Sequence, residues 1–164
     1  ENIEKMWPAP SQRVIHELPL FRPNVWIGAS IENQEYADKR IPELLKCMDL
    51  APVLFLSAEP LLGPIDLHSV STHEGHRDVL FCGPEGGHEY EGSRRNFIRW
   101  VIAGAESGPK RRPANIEWFR SLRDQCQLGR VPFFMKQLEV SGKIVTDPAL
   151  FSLDLQIQEM PTTV

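Results

Sequence analysis

The sequence predicts an α/β fold with a mostly parallel β-sheet. Four short apolar runs, in which polar and apolar residues do not alternate, are typical of strands buried on both faces. The runs are 24–31, 52–59, 100–106 and 132–137. Segments with helical periodicity separate the first run from the second and the third from the fourth. Such alternation of strands and helices predicts right-handed parallel crossovers.

Composition and charge exclude several classes of protein. The chain has 164 residues, of which 41% are apolar and 24% charged, as in a globular domain and unlike a disordered tail or a disulfide-dense miniprotein. With 18 Lys and Arg against 22 Asp and Glu, no global basic field attracts nucleic acid or an anionic membrane. The longest apolar run, 51–58, is too short to cross a bilayer. Three cysteines without a CxxC pair, and no signal-peptide pattern, predict a cytoplasmic protein with reduced thiols.

Two segments are predicted to be helical. Residues 33–48 are expected to form two short pieces, because Pro42 lacks the amide hydrogen that a continuous helix needs. Residues 115–127 have the clearer pattern. Asn115 is a suitable N-cap, apolar residues recur on one face, and Gly129 lies where a C-terminal capping glycine belongs.

We expect one α/β domain over residues 1–164, with an exposed insertion at about 68–99, in which a hairpin fits, and an irregular C-terminal wrap at about 140–164. Four parallel strands cannot close a barrel, which usually needs about eight. The sheet is therefore either open or the C-terminal part of an incomplete (βα) barrel. An incomplete barrel has a free strand edge and an uncovered apolar face, which a missing N-terminal half or self-association would complete.

Each predicted strand ends in polar residues. The carboxyl ends of parallel strands meet at one rim of the sheet, where the chemistry of such folds is found. The residues at these ends are Ser30, Glu32, Ser57, Glu59, Glu106, Ser107, Lys136 and Gln137. Three carboxylates and one lysine at a rim suit the binding of a divalent cation or a substrate amine, or proton transfer. The alternative is that these residues only cap strands. Glu59 and Glu106 are the strongest candidates, because an apolar strand runs directly into each carboxylate.

The loop at 104–109 is rich in small residues, including Gly108, which allow a ligand to approach the backbone closely. It matches no phosphate-binding motif, and a tight turn explains it equally well. The run Lys-Arg-Arg at 110–112 is either an anion clamp or a solvated loop.

Other chemistries find little support in the sequence. The insertion contains four potential zinc ligands at no common zinc-site spacing, so we predict no metal site. They are His73, His76, Cys82 and His88. No serine lies in a GxSxG motif, which argues against a Ser-His-Asp hydrolase. Trp26 and Trp100, which lie within predicted strands, are interpreted as core residues.

Several long motifs resemble a phage and bacterial protein family of unknown function. They are NVWIGASIENQEYADKRIPELL, FLSAEPLLGPIDL, WVIAGAESGPKRRP, WFRSLRDQC and VPFFMKQL, and the closing stretch GKIVTDPALFSLDLQIQEMP also fits. Together they cover about residues 1–67 and 96–161. Intact members of the family resemble radical S-adenosylmethionine (radical SAM) enzymes and have an N-terminal three-cysteine motif of the form GCxxCYA for an iron–sulfur cluster.

The resemblance implies that this chain is the C-terminal half of an incomplete (βα) barrel of the radical SAM type. It implies S-adenosylmethionine and a [4Fe–4S] cluster as cofactors of the intact protein. The cluster cysteines are absent here, so we expect this chain alone to bind no cofactor and to be inactive. The resemblance implies that the pocket is lined by Ser30, Glu32, Glu59, Glu106, Ser107 and Lys136, and it names no substrate. Among the strand-end and loop residues, we expect catalytic roles for Glu59, Glu106 and Lys136. We expect cofactor binding by Ser30, Glu32, Ser57, Ser107 and Gly108.

Two alternatives remain open. One is a non-catalytic module that binds a small nucleotide or another anion at a rim containing Glu59, Glu106, Lys110 and Arg111. The other is a hydrolase that uses a divalent cation held by Glu32, Glu59 and Glu106, which the resemblance does not support.

Overall fold

The computed structural model describes residues 24–81 and 97–162. The strands are β1 (Trp26–Ser30), β2 (Val53–Ala58), β3 (Val70–Thr72), β4 (Gly75–Arg77), β5 (Trp100–Gly104), β6 (Phe133–Val140) and β7 (Lys143–Val145). The helices are α1 (Gln34–Leu45) and α2 (Ile116–Gly129), and single 3₁₀ turns follow at Pro148–Leu150 and Leu153–Leu155. Within these residues, no helix is both long and apolar enough to span a membrane.

The main sheet has the strand order β1-β2-β5-β6-β7. The pairs β1–β2, β2–β5 and β5–β6 are all parallel, and only β7 joins antiparallel, as a hairpin with β6. The predicted α/β class with a mostly parallel sheet is therefore confirmed, including the approximate positions of its four parallel strands. The described strands do not close into a barrel.

Helix α1 is continuous, and the prediction of two short pieces was wrong. Asn33 caps it by accepting a hydrogen bond from the Tyr36 amide, and Pro42 lies inside its last turns. One proline removes one backbone hydrogen bond. The burial of Ile41 and Leu44 around it offsets that loss, because both side chains pack into the core of the domain.

Helix α2 begins as predicted and ends differently. The Asn115 side chain accepts a hydrogen bond from the Glu117 amide at 3.0 Å. The C-cap in the left-handed conformation is Arg130, with φ of 53°, and not Gly129. Gly129 is the last helical residue, and a Cβ there would lie 2.9 Å from the Leu80 Cβ. Its role is close packing of the helix against the chain at Leu80.

The segment expected to be an exposed insertion contributes to the core in its described part. It forms the β3–β4 hairpin, and Val70, Val79, Leu80 and Ile98 are fully buried. Cys82 and His88, two of the potential zinc ligands, lie outside the described residues.

The C-terminal residues cover one edge of the sheet. Strand β7 pairs with residues 138–140 of β6. Residues 157–159 run beside the start of β6, where the Met135 amide donates to the Ile157 carbonyl at 2.8 Å and the Glu159 amide donates to the Phe133 carbonyl at 3.0 Å. A region expected to be an irregular wrap therefore supplies regular pairing to β6.

The two faces of the sheet differ in burial. On one face, alternate side chains of the parallel strands pack into a dry core with both helices. These side chains are Ile27, Leu54, Leu56, Ala58, Val101, Ala103, Phe133 and Met135. The intervening residues point to the other face, and most of them are half-buried or exposed. Neither described helix packs on this second face, which we call the uncovered face.

Candidate ligand site on the uncovered face

Strand register places the carboxyl ends of neighbouring strands side by side on the uncovered face. Ser30 on β1 pairs with Ser57 on β2, which pairs in turn with Ile102 on β5. One step further toward the carboxyl ends, Glu59 and Lys136 lie on either side of Gly104. Ser57, Glu59 and Lys136, which the sequence places far apart, thus meet at the rim where catalytic groups were predicted.

The Glu59 carboxylate is the centre of this group. The Ser57 hydroxyl donates to its Oε2 at 2.9 Å. The Lys136 Nζ lies 3.3 Å from Oε2 and 3.2 Å from Oε1, and donates its hydrogen bond to Oε2. Oε1 is buried without a hydrogen-bond partner within the structure as described. We call Ser57, Glu59 and Lys136 the rim triad.

Gly104 makes the ion pair of the rim triad possible. Glu59 belongs to the β2 end and Lys136 to β6, with β5 between them. A Cβ at position 104 would lie 2.5 Å from the Glu59 Oε1 and 3.1 Å from the Gln137 Cγ. Only a residue without a side chain lets the carboxylate cross above β5. The small residue was expected to leave room for a ligand, and the room is filled by Glu59.

A β-bulge positions Lys136. Ala103 pairs with Met135 and Gly104 pairs with Gln137, so Lys136 is the extra residue on β6. A bulge changes the direction of side chains and is common beside active sites. Here it lets the consecutive residues Lys136 and Gln137 both reach groups beside Gly104. Gln137 then fixes the adjoining loop by donating from its side chain to the Ala105 carbonyl.

The two charged members of the rim triad differ in exposure. The Glu59 side chain is 17% exposed and that of Lys136 is 54% exposed. A ligand arriving from solvent therefore meets the ammonium first, with the carboxylate behind it. This arrangement suits an acceptor group on the ligand, such as a carboxylate, phosphate or hydroxyl, held by the remaining Lys136 donors.

Glu32 and Glu106 are paired elsewhere. Arg40 donates to Glu32 at 3.2 Å and to the Ser30 carbonyl at 2.8 Å. Glu106 accepts two side-chain hydrogen bonds and one backbone hydrogen bond from Arg112, which lower its carboxyl pKa to about 2. A carboxylate held in this way is a poor proton carrier near neutral pH. The structure therefore gives Glu106 a bracing role in its loop and does not place it in the rim triad.

Ser107 and Gly108 lie in the same loop and make no described contact with the rim triad. The Gly108 carbonyl accepts from Arg111 at 3.3 Å, and Arg111 also binds the Glu139 carboxylate and the Gly142 carbonyl. Arg111 thus ties the loop to the β6–β7 turn. Three of the Arg111 donors are used within the loop and turn, so an anion clamp at 110–112 would need other donors.

An aromatic cluster lies below the rim triad on the uncovered face. Trp100 is its centre, with ring centroids 5.7 Å from Trp26, 5.8 Å from Phe55 and 5.9 Å from Phe134. All four side chains are half-buried. The interpretation of Trp26 and Trp100 as core residues was wrong. Alternation along β1 and β5 would have identified them, since each shares a face with a polar or glycine residue at the strand's carboxyl end.

The described cysteines do not form a metal centre. Cys47 and Cys126 are both buried, and burial raises the pKa of the Cys126 thiol, which opposes the thiolate that binds iron. Within residues 24–81 and 97–162, no three or more His, Cys, Asp or Glu side chains are grouped so as to hold a metal ion.

Comparison with known proteins gives one match. No curated protein and no solved structure matches this chain. A family model described as "Protein of unknown function (DUF5131)" matches residues 1–147. This match covers most of the chain and includes both helices, all seven strands and the rim triad. The chain therefore belongs to the DUF5131 family.

Proposed function

We propose that this chain is the C-terminal part of a radical-SAM-like phage-type protein and supplies one wall of its cofactor and substrate pocket. The rim triad, with Ser30 beside it, is the part of that wall that contacts the ligand. The observation that carries the proposal is the segregation on the uncovered face, with aromatic rings toward one end and the rim triad at the carboxyl ends of the strands.

The architecture supports a pocket wall. Parallel strands are usually covered on both faces, and their ligands bind at the carboxyl ends. Here one face is packed and the other displays Trp26, Phe55, Trp100 and Phe134 half-exposed. A face of this composition is the inner surface of a pocket once other elements stand opposite it.

The chemistry of S-adenosylmethionine is complementary to this wall. Its carboxylate matches the Lys136 ammonium, its ammonium matches the Glu59 carboxylate, and its ribose hydroxyls match Ser57 and Ser30. Its adenine ring is a flat group of the kind that stacks on aromatic side chains. In this proposal Glu59 and Lys136 bind and orient the ligand.

The residues described here do not fit a [4Fe–4S] cluster, which is held by cysteine thiolates. Cys47 and Cys126 are buried, and neither shares a described contact with the rim triad. We therefore assign no redox step to this chain, and the cluster would be held by a different part of the protein.

A non-catalytic module that binds a nucleotide or another anion is the second candidate. The greater exposure of Lys136 favours it, because the first charge met at the rim is positive. The candidate hydrolase receives no such support. Glu32, Glu59 and Glu106 are each ion-paired with a separate cation.

Equilibrium dialysis against S-adenosylmethionine of the protein produced in full by the cells that make it tests the proposal. We expect saturable binding that Lys136→Gln weakens about 10-fold or more, as loss of a charged hydrogen bond implies. Lys143→Gln, at an exposed position of β7, is the matched control with the same charge change and should bind like the unmodified protein.

Two results would contradict the proposal. If the protein binds adenosine nucleotides but does not bind S-adenosylmethionine, the non-catalytic module that binds a nucleotide or another anion is favoured. Equal binding by the chain and its Lys136→Gln variant would mean that the rim triad is not the ligand site.

A further inference from the structure

A cavity of about 580 Å³ lies at the amino end of β6, at the opposite end of that strand from the rim triad. It is bounded by the last turn of α2, by the turn that connects α2 to β6, and by residues 157–160 beside the start of β6. Its volume is within the range of about 300–1,000 Å³ that small-molecule sites occupy. Its lining includes no residue of the rim triad or the aromatic cluster, so it is a separate candidate site.

The lining of this cavity is partly apolar. Val131 and Phe133 are buried, Ile157 is half-buried, and Met160 is 54% exposed. Cys126 also lines the cavity, and burial raises the pKa of its thiol, so this group remains uncharged near neutral pH. An apolar group that entered the cavity would displace water from these side chains, which is favourable.

Arg130 adds an unpaired positive charge to this lining. Its guanidinium has no hydrogen bond or ion pair with any described residue. Arg123, which also lines the cavity, is by contrast held by Asp124 and Asp154. The last carbonyl groups of α2 are capped by backbone amides of the following turn and do not need the Arg130 side chain. A free guanidinium suits a carboxylate, which it can bind through two parallel hydrogen bonds.

The backbone at Arg130 is in a conformation that favours glycine. Its φ of 53° and ψ of 39° lie in the left-handed region. Ser141, with φ of 50°, is the other non-glycine residue with positive φ in the described part of the chain. The turn therefore holds a guanidinium beside the cavity at a position where glycine would be less strained.

Glu159 adds a negative charge to the same cavity. Its Oε2 accepts a hydrogen bond from the Phe133 amide at 3.1 Å, which fixes the carboxylate beside the start of β6. Within the described residues, no ion pair joins Glu159 to Arg130, so a ligand can contact each charge separately. A purely anionic ligand would be attracted by Arg130 and repelled by Glu159. Only a ligand with both a negative and a positive group matches the two side chains.

We propose that this cavity binds a free α-amino acid with a large apolar side chain. The carboxylate of the amino acid binds the Arg130 guanidinium, and its ammonium group binds the Glu159 carboxylate. Its side chain packs on the apolar lining formed by Phe133, Ile157 and Met160. The carboxyl terminus of a peptide fits less well, because it brings the carboxylate without the ammonium group. This site is independent of the proposed function of the rim triad.

Calorimetric titration with L-phenylalanine and L-leucine tests the inference on the protein produced in full by the cells that make it. We expect saturable binding of both amino acids. L-Phenylalanine methyl ester lacks the negative charge, and N-acetyl-L-phenylalanine lacks the positive charge. Each should bind at least about 10-fold more weakly than L-phenylalanine, because one charged hydrogen bond is lost.

Two variants with a matched control separate binding from folding. Arg130→Gly removes the guanidinium and should weaken L-phenylalanine binding at least about 10-fold without lowering the melting temperature, because glycine suits the left-handed backbone. Ser141→Gly makes the same kind of change away from the cavity and should bind like the unmodified protein. Glu159→Gln keeps an acceptor for the Phe133 amide and should weaken binding of L-phenylalanine but not of N-acetyl-L-phenylalanine.

Three results overturn the inference. They are no saturable binding of either amino acid, equal binding of L-phenylalanine and its two charge-blocked analogues, and L-phenylalanine binding that Arg130→Gly leaves unchanged. None of them bears on the proposed ligand site, because S-adenosylmethionine dialysis with Lys136→Gln tests the rim triad separately.

Discussion

The two faces of the main sheet are built from the same strands and have opposite properties. On β2, Leu54, Leu56 and Ala58 are buried in the core, while Phe55 and Ser57 between them are half-buried. The packed face supplies most of the apolar burial that stabilises the domain. The uncovered face carries the aromatic cluster and the rim triad. Under the proposed function, stability and ligand contact are therefore divided between alternate residues of one strand.

This division explains why polar groups at the rim do not disturb the core. No polar or charged residue is fully buried within the described residues. Glu59 and Lys136 stand on the face that water or a ligand reaches, and their charges offset each other. The desolvation cost that a charged pair would incur in the packed face is thereby avoided.

The largest expected effect separates the two faces directly. Leu56→Ala removes a fully buried side chain and should lower the free energy of unfolding by about 2–5 kcal/mol. Phe55→Ala, on the uncovered face of the same strand, should cost about half as much or less, because its ring is already partly in water. Urea denaturation measures both. Equal costs would mean that the uncovered face is packed as tightly as the core.

The next effect concerns Gly104, where a methyl group meets the Glu59 carboxylate. Gly104→Ala should destabilise the domain by about 1–3 kcal/mol through overcrowding, and it should weaken ligand binding by displacing the Glu59 carboxylate. Adding Glu59→Asp, which shortens the acid by one methylene group, should recover part of both losses. Denaturation and dialysis of the single and double variants measure this. A double variant no better than Gly104→Ala would show that Glu59 is not the obstructing group.

The smallest effect concerns Glu106, which Arg112 braces. The folded-state pKa of about 2 lies below the ordinary value of 4.5, so this contribution to stability is complete above pH 4.5 and disappears as the pH falls through about 2. Arg112→Gln should therefore cause a small loss of stability at neutral pH that shrinks over this interval. Thermal unfolding from pH 7 to 2 measures it. A difference that grows with acidity would contradict the assigned pairing.

Much of the sheet could be predicted from the sequence, because buried parallel strands are short apolar runs whatever their surroundings. The same property hid the difference between the faces. Trp26, Phe55 and Trp100 count as apolar, so runs with one uncovered face look like runs with two covered faces. Helix α1 crosses Pro42 because burial of its neighbours outweighs one lost hydrogen bond, a balance that local propensity does not contain.

The contact between strand-end residues at the rim could be predicted only in part. Their positions at the ends of parallel strands correctly predicted that Glu59 and Lys136 lie at one rim, although they are 77 residues apart in the sequence. Their contact also depends on the gap at Gly104 and on the bulge at Lys136, which no local pattern specifies. The partner of Glu106 was not predicted, because Arg112 follows six residues later and was considered only as part of a basic run.

Hydroxyl-radical footprinting of the uncovered face tests the central claim most directly. The measurement compares the oxidation of Trp26, Phe55, Trp100 and Phe134 in the isolated chain and in the protein purified from the cells that make it. Leu153, which is 87% exposed and far along the chain, is the internal reference. The account predicts that the four rings react in the isolated chain and are protected in the native material while Leu153 reacts equally in both. Equal oxidation of the rings in the two preparations would contradict the claim that this face is the inner wall of a pocket.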